Sequence, residues 1–352
     1  MEVEKVSKAI AFLRKRAGYT QKDLAERLGV SDKAVSKWER GLGLPDISSL
    51  RKLSILLDTD TDSLLAGDVI HHDSGWQGVL LLDKAESGVG LQTTVYDKPL
   101  ACYLLSHFLL VGIKKIYVIC SAEEELYMKA RFGDGSEWGI SLIYCGSDIE
   151  NVWDTHPSIE ACSNHMIVHG RSFVFGVDQT RFYQKAMVDR DRLTVLSLPR
   201  GSKTVQRRLY FDNDKKIIFN GDNEELNTQY DYYDIPVIFC PQRLLRWVCR
   251  AVSDGSMVDN NGELEGEFMY TEVLDRGFVE MSVDNWENVL RAANFVQVVQ
   301  EACGMNLYCL EEIVWRRGMI STEQLRILAE KQRNSAMKDY LLELCHNARE
   351  ED

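Results

Sequence analysis

The stretch TQKDLAERLGVSDKAVSKWERG, residues 20–41, decides how the front of this chain folds. Thr20 stands where a helix N-cap is wanted, and Leu24, Ala25 and Leu28 recur at the spacing that lines one face of a helix. Gly29 supplies the tight turn, and Ser31 caps a second helix that runs to Gly41. On that helix Val35 and Trp38 fall inward, while Asp32, Lys33, Ser36 and Lys37 fall outward. Two short helices joined by a glycine turn are a helix-turn-helix.

Outward from this motif the helical signals continue. Val6, Ile10 and Leu13 predict a helix that ends at Gly18, Pro45 and Asp46 open a fourth helix over ISSLRKLSILL, and DTDTDSLLAGD gives a short fifth. An all-α, five-helix head over residues 1–68 is expected, with a polar linker over 69–75. Adjacent His71 and His72 in that linker point apart on most backbones, so no metal site is expected there.

This pattern resembles the Cro/CI (Xre) family of DNA-binding domains over residues 4–66, through TQ-x-x-LAE-x-LGVS-x-x-AVSKWERG and then LPD. The resemblance implies that the second helix of the motif enters the major groove with its N-terminal side chains at base edges. It makes Gln21 a phosphate or helix-positioning contact and Arg40 a backbone contact, and sets Ser31, Asp32, Lys33, Ser36 and Lys37 at the interface. The implied partner is double-stranded DNA carrying a pseudo-palindromic operator.

Charge agrees with a basic head on an acidic body. Through Leu57 there are twelve Lys and Arg against seven Asp and Glu, about +5, in a chain whose formal charge is -13. No apolar run approaches the roughly 20 residues of a membrane span, and the charged N-terminus lacks a signal-peptide core, so a cytoplasmic protein without a membrane partner is expected. The nine cysteines include no C-x-x-C pair and read as reduced core residues, with no metal and no cofactor expected.

After the linker the period changes. WQGVLLLD, KKIYVICS, SLIYCG, RSFVFGVD and LTVLSL are apolar runs of strand length, interspersed with the helical PLACYLLSHFLLVGI and AEEELYMKARFG. Such alternation implies βαβ units and a mostly parallel, Rossmann-like sheet with helices on both faces, and a helical segment at the C-terminus. The wording VYDKPLACYLLSHFLLVGIKKIYVICS, NGELEGEFMYTEVLDRG, RAANFVQVV and CLEEIVWRRGMISTEQLRILAE resembles bacterial glucose-1-phosphate thymidylyltransferases across residues 76–346.

Those enzymes use a Gly-rich loop ending in Arg, a Lys beyond it, a Gly-Asp-Asn after a central strand and a later Asp-Thr-Gly. The two aspartates hold Mg²⁺. Laid along this chain, the glycine pair falls on Asp83 and Lys84, the loop is shorter, and the Lys position falls on Gly90, two residues after Gly88. Gly-Asp-Asn reads as Gly176-Val177-Asp178, the second metal aspartate falls on Ser282, and a later Lys falls near Asn223. Asp284 reads as a loop carboxylate, and Lys98, beside Pro99 at a helix start, as a solvated or capping cation. The expected body is therefore a catalytically inactive nucleotidyltransferase-like domain with no catalytic residues.

In the resembling enzymes a regulatory nucleotide site at a subunit interface is partly built from the segment that here reads Glu311, Glu312, Ile313 and Arg316. The expectation is a transcription regulator whose body forms a homodimer or homotetramer and senses a nucleotide or nucleotide-sugar effector. Two alternatives stay open on sequence. One is a bifunctional nucleotidyltransferase using dTTP or UTP; the other is a ligand-free dimerisation scaffold.

Overall fold

A computed structural model describes residues 3–16, 19–57, 61–66, 75–82, 88–200, 209–220, 231–254, 263–264, 267–332 and 334–350. The chain forms two compact units, residues 1–72 with 311–352, and residues 73–310.

In the first unit, α1 (Val3–Arg16), α2 (Gln21–Leu28), α3 (Asp32–Glu39), α4 (Ile47–Leu56) and α5 (Thr61–Ala66) make the head. The ends of α2 and α3 carry the chemistry expected of their sequence. Thr20 and Asp23 form a reciprocal capping box, Gly29 adopts a left-handed φ of 72°, and the Ser31 side chain accepts from Ala34 N. At the start of α4 the Asp46 carboxylate accepts from Ser49 N at 2.8 Å. Val6, Ile10, Leu24, Leu28, Val35, Trp38 and Leu53 share one core, so the faces that read as inward do meet.

Among the described residues, the second unit is built on a ten-stranded sheet whose strands in chain order are β1 (Trp76–Leu81), β4 (Lys115–Ile119), β5 (Ser141–Tyr144), β6 (Asn164–His169), β8 (Leu193–Arg200), β9 (Leu209–Phe211), β10 (Ile217–Asn220), β11 (Asp231–Pro241), β12 (Glu263–Leu264) and β13 (Glu267–Val273). Their spatial order is β12-β13-β8-β11-β6-β1-β4-β5, with β9 and β10 attached beside β11. The half comprising β5, β4, β1 and β6 is parallel. Antiparallel β11 lies between β6 and β8, and β8 with β13 is parallel again.

Two short ribbons stand off this sheet, β2 (Thr94–Val95) with β3 (Lys98–Pro99), and β7 (Ser172–Phe175) with β14 (Val279–Ser282). The helices of the unit are α6 (Leu100–Leu109), α7 (Ala122–Phe132), α8 (Val152–Thr155), α9 (Gln179–Val188), α10 (Leu245–Asp254) and α11 (Trp286–Cys303). Every residue of α6 is buried, and its two polar ones are bonded, Ser106 to the Cys102 carbonyl and His107 to Tyr183. It packs so closely that a Cβ at Gly78 of β1 would stand 2.7 Å from the Phe108 ring.

Beyond α11 the chain ends in α12 (Leu310–Arg316), α13 (Thr322–Glu330) and α14 (Ser335–Glu350). These helices bond to one another, with Gln332 donating to Glu311 at 2.8 Å and Tyr340 to Glu312 at 2.5 Å. The second unit closes at Leu310.

The central strand is the largest departure from the sequence expectation. RSFVFGVD has the pattern of a sheet strand, whereas its strand residues form β7 in the two-stranded ribbon. The sheet position is held by NHMIVH, β6, which pairs with β1 on one side and β11 on the other.

Candidate functional site

On the head, α3 presents Asp32, Lys33, Lys37 and Arg40 at the surface, with Ser36 half-buried and Val35 and Trp38 in the core. Ser31 is spent on its own helix as the cap. Arg40 folds its Nε back onto the Ser36 carbonyl at 3.2 Å, at the helix end. The next turn passes beside Lys37, whose Cε lies 3.3 Å from where a Cβ on Gly43 would stand.

Gln21 is placed by the interior. Its amide donates to Glu39 Oε2 at 2.7 Å, and Arg14 donates to both oxygens of the same carboxylate at 2.5 and 3.1 Å and to the Tyr19 carbonyl at 2.6 Å. Arg14 and Glu39 are nearly buried, so this bidentate pair fixes α1, α2 and α3 to one another. Sequence reasoning missed it. The available signal was Arg14, a charged residue one position after Leu13 on the inward face of α1.

On the body, the carboxyl end of the parallel strands is where α/β sheets hold ligands. There β6 runs into Gly170-Arg171-Ser172. Arg171 donates to Glu124 Oε1 at 2.9 Å, with side chains 7% and 4% exposed, and Glu124 is held in the first turn of α7 by Ser121. The same Oε1 accepts from Leu91 N at 3.3 Å, and Gly90 N donates to Thr93 Oγ1 at 3.0 Å. These two backbone donors of the turn are thus bonded within the protein.

Val177 and Ser282, expected to stand together, are not brought together. In the ribbon Ser282 pairs with Ser172, and Val283 N donates to the Arg171 carbonyl at 2.7 Å. Val177 lies two residues beyond Phe175, which pairs with Val279 at the far end. It is exposed, as is the neighbouring Asp178, whose φ of 59° marks the turn into α9. The cross-strand partner of Ser282 is Ser172, the residue after Arg171.

Gly88, at φ 74°, and Gly90 form a turn. Asp83, Lys84, Asn223, His71 and His72 lie outside the described residues. Lys98 is neither solvated nor a cap, being 6% exposed and bonded to Asp97 at 2.7 Å and Gln300 at 3.2 Å. Asp284 accepts from Asn285 and Asn288 on the surface. Glu311 is bonded to Gln332 and Glu312 to Tyr340, Ile313 is half-buried, and exposed Arg316 pairs with Glu312 at 2.7 Å.

A buried polar network joins α6 to α9. His107, on α6, is bonded through Nδ1 to Tyr183 at 2.7 Å and to Gln179 at 3.1 Å, and Gln179 also accepts from Tyr308 at 3.1 Å. Burial pushes the His107 imidazole down to about 3 and His165, on β6, down to about 4. Both are neutral core residues.

Comparison with known proteins separates the head from the body. A family model described as helix-turn-helix matches residues 10–64. The glucose-1-phosphate thymidylyltransferase of Neisseria meningitidis is 28% identical over 261 residues, covering 71% of this chain and 90% of that enzyme. The one from Actinoplanes sp. is 27% identical over 265 residues, covering 71% and 85%. A solved Bacillus anthracis structure, titled a putative enzyme of the same name, covers 62% of this chain and 94% of its own, at 13% identity and a TM-score of 0.49. The chain joins a helix-turn-helix head to a body similar, over most of its length, to glucose-1-phosphate thymidylyltransferases.

Proposed function

We propose that this protein is a sequence-specific DNA-binding transcription regulator whose body pairs two heads and senses a nucleotide or nucleotide-sugar without turning it over. The observation that carries the reading is the two-sidedness of α3. One side closes the head core through Val35 and Trp38, and the other leaves Lys33, Lys37 and Arg40 at the surface to meet phosphates and base edges.

The body reading rests on the donor set at the sheet edge. With Gly170-Arg171-Ser172 standing after the central strand in place of Gly-Asp-Asn, a guanidinium and a hydroxyl, Arg171 and Ser282, replace the two carboxylates that would hold Mg²⁺. These two residues do not fit a hard divalent cation, which needs anionic oxygens, and the nearby Glu124 carboxylate is already engaged by Arg171 and Leu91 N. Gly90 and Leu91, whose amides are bonded to Thr93 and Glu124, offer no ready phosphate cradle.

The test has two arms on the full chain. Selection from random duplexes should return a pseudo-palindrome with half-sites about 34 Å apart, one helical turn. Incubation with dTTP or UTP, glucose 1-phosphate and Mg²⁺ should release no pyrophosphate above a no-protein control. Release above that control replaces the sensor with a DNA-binding enzyme, and recovery of no sequence preference removes the regulator.

A further inference from the structure

Most polar side chains around α3 are spent within the head. Ser31 caps the helix, Gln21 donates to Glu39, and Arg40 turns its Nε back onto the Ser36 carbonyl. A short inventory remains at the exposed start of the helix. Asp32 commits one oxygen, Oδ1, to Lys33 N at 2.7 Å, and its Oδ2 has no hydrogen-bond donor among the described residues. The ammonium groups of Lys33 and Lys37 have neither an ion-pair nor a hydrogen-bond acceptor among the described residues. These two lysines stand four residues apart on one exposed side, where like charges oppose the helix instead of supporting it. One free acceptor and two free cationic donors are therefore held out together, at the end that the proposed docking turns to base edges.

We propose that each half-site of the operator carries two neighbouring G·C pairs read by this corner of α3, Asp32 accepting from cytosine N4 in one and Lys33 donating to guanine O6 and N7 in the other. The assignment rests on the reading of α3 as the recognition helix. Its sign comes from the carboxylate. Beside phosphates a carboxylate is repelled, so an aspartate here weakens binding to every duplex unless a base edge supplies it with a donor. Two bases offer an amino group in the major groove. Adenine N6 stands beside the N7 lone pair, which repels a second acceptor, whereas cytosine N4 stands alone, so cytosine is the partner. Guanine is the converse case for an ammonium. Its O6 and N7 present two adjacent acceptors, whereas adenine presents one beside a donor and thymine one beside a methyl group. Consecutive Cα atoms stand about 3.8 Å apart, close to the roughly 3.4 Å step between base pairs, so Asp32 and Lys33 address neighbouring pairs. Lys37, a turn further on with its stem against the Gly43 turn, is left for the next acceptor, base or phosphate.

Selection from random duplexes with the full chain, repeated with Asp32→Asn, Asp32→Ala and Lys33→Ala, tests it. The wild type should return two neighbouring G·C pairs in each half-site. Asp32→Asn should move one of them from cytosine to adenine, because an amide both accepts from N6 and donates to N7, and should lower affinity for the wild-type operator about fivefold or more. Asp32→Ala should relax the same position with no new preference, and Lys33→Ala should relax the guanine beside it. Circular dichroism should be unchanged in all three, since both side chains are exposed. A wild-type half-site without the two G·C pairs, a guanine preference that survives Lys33→Ala, or an Asp32→Asn profile with the wild-type preferences overturns the assignment and leaves the regulator standing. Tighter binding of Asp32→Asn to all sequences alike is the form that last result takes if Asp32 serves only the positive start of the helix. No sequence preference in the wild type removes the regulator, and the assignment with it.

Discussion

Arg171 and Glu124 form an ion pair at 2.9 Å at the carboxyl end of the parallel strands, with neither side chain more than a tenth exposed. The pair ties the end of β6 to the start of α7, and through Leu91 N to the turn that precedes β2. Removing one partner of a buried pair leaves an uncompensated charge, whereas replacing both does not. Glu124→Leu alone should therefore cost about 3–5 kcal/mol in urea unfolding. Glu124→Leu with Arg171→Met should recover most of that loss; a double variant as unstable as the single would contradict the account.

The register of the ribbon makes a prediction about metal. Ser282 pairs with Ser172, the residue next to Arg171, and stands at the opposite end of the ribbon from Val177, so carboxylates at 171 and 282 are diagonal neighbours within reach of one ion whereas carboxylates at 177 and 282 are not. Arg171→Asp/Ser282→Asp should gain a melting-temperature increase with Mn²⁺, and Val177→Asp/Ser282→Asp should show none. Equal responses from the two variants would place the ribbon register in error.

In the head, Glu39 is the common acceptor for Arg14 and Gln21. Glu39→Ala strands a nearly buried guanidinium and frees α2 from α3, and should destabilise the head by about 3–5 kcal/mol. Gln21→Ala removes a single neutral donor and should cost about 1 kcal/mol. Urea unfolding of the head, read at the Trp38 indole resonance, separates the two, and similar losses would mean that the ion pair is not what holds these helices.

Arg40 sits at the end of α3, where the proposed docking puts only the DNA backbone in reach, while Lys37 lies one turn earlier beside the Gly43 turn. Arg40→Ala should weaken binding to all sequences alike and reduce the slope of log affinity against log salt by about one. Lys37→Ala should in addition relax preference at one base position. Base-selective loss for Arg40→Ala would require a different docking.

His107 and His165 bear on pH. Both have folded values well below the ordinary 6.5, so between 6.5 and about 4 the unfolded chain binds more protons than the folded one. Their contribution to stability is complete above pH 6.5 and falls as pH drops through that window, by on the order of 1 kcal/mol per pH unit for each histidine. Melting temperatures should hold from pH 7.5 to about 6.5 and fall from there to 4.5, less steeply in His107→Gln. A variant as steep as the wild type would show that His107 is not a source of the loss.

The head is legible in the sequence because its determinants are local. Thr20, Gly29 and Ser31 act on backbone groups within three or four residues, and the apolar period of α2 and α3 reports directly which side is buried. The alternation of apolar runs and helical periods likewise points to an α/β body. Pairing cannot be read this way. NHMIVH hides the central strand because Asn164, His165 and His169 flank a run of only three apolar residues, and the interior accommodates the first two by bonding Asn164 to the Arg190 carbonyl and His165 Nε2 to the Ile159 carbonyl. The neighbouring FVF looks more like a core strand, yet its burial comes from ring contacts such as Phe173 with Tyr103 and Tyr308, and Phe175 with Phe295, beside the ribbon with β14. Apolar pattern records that a segment is buried and is silent about which strand it joins. The junction of Arg171 with Glu124 and of Ser172 with Ser282, segments separated by tens to over a hundred residues, is fixed only by the tertiary fold, because sheet register is set by packing across the whole layer.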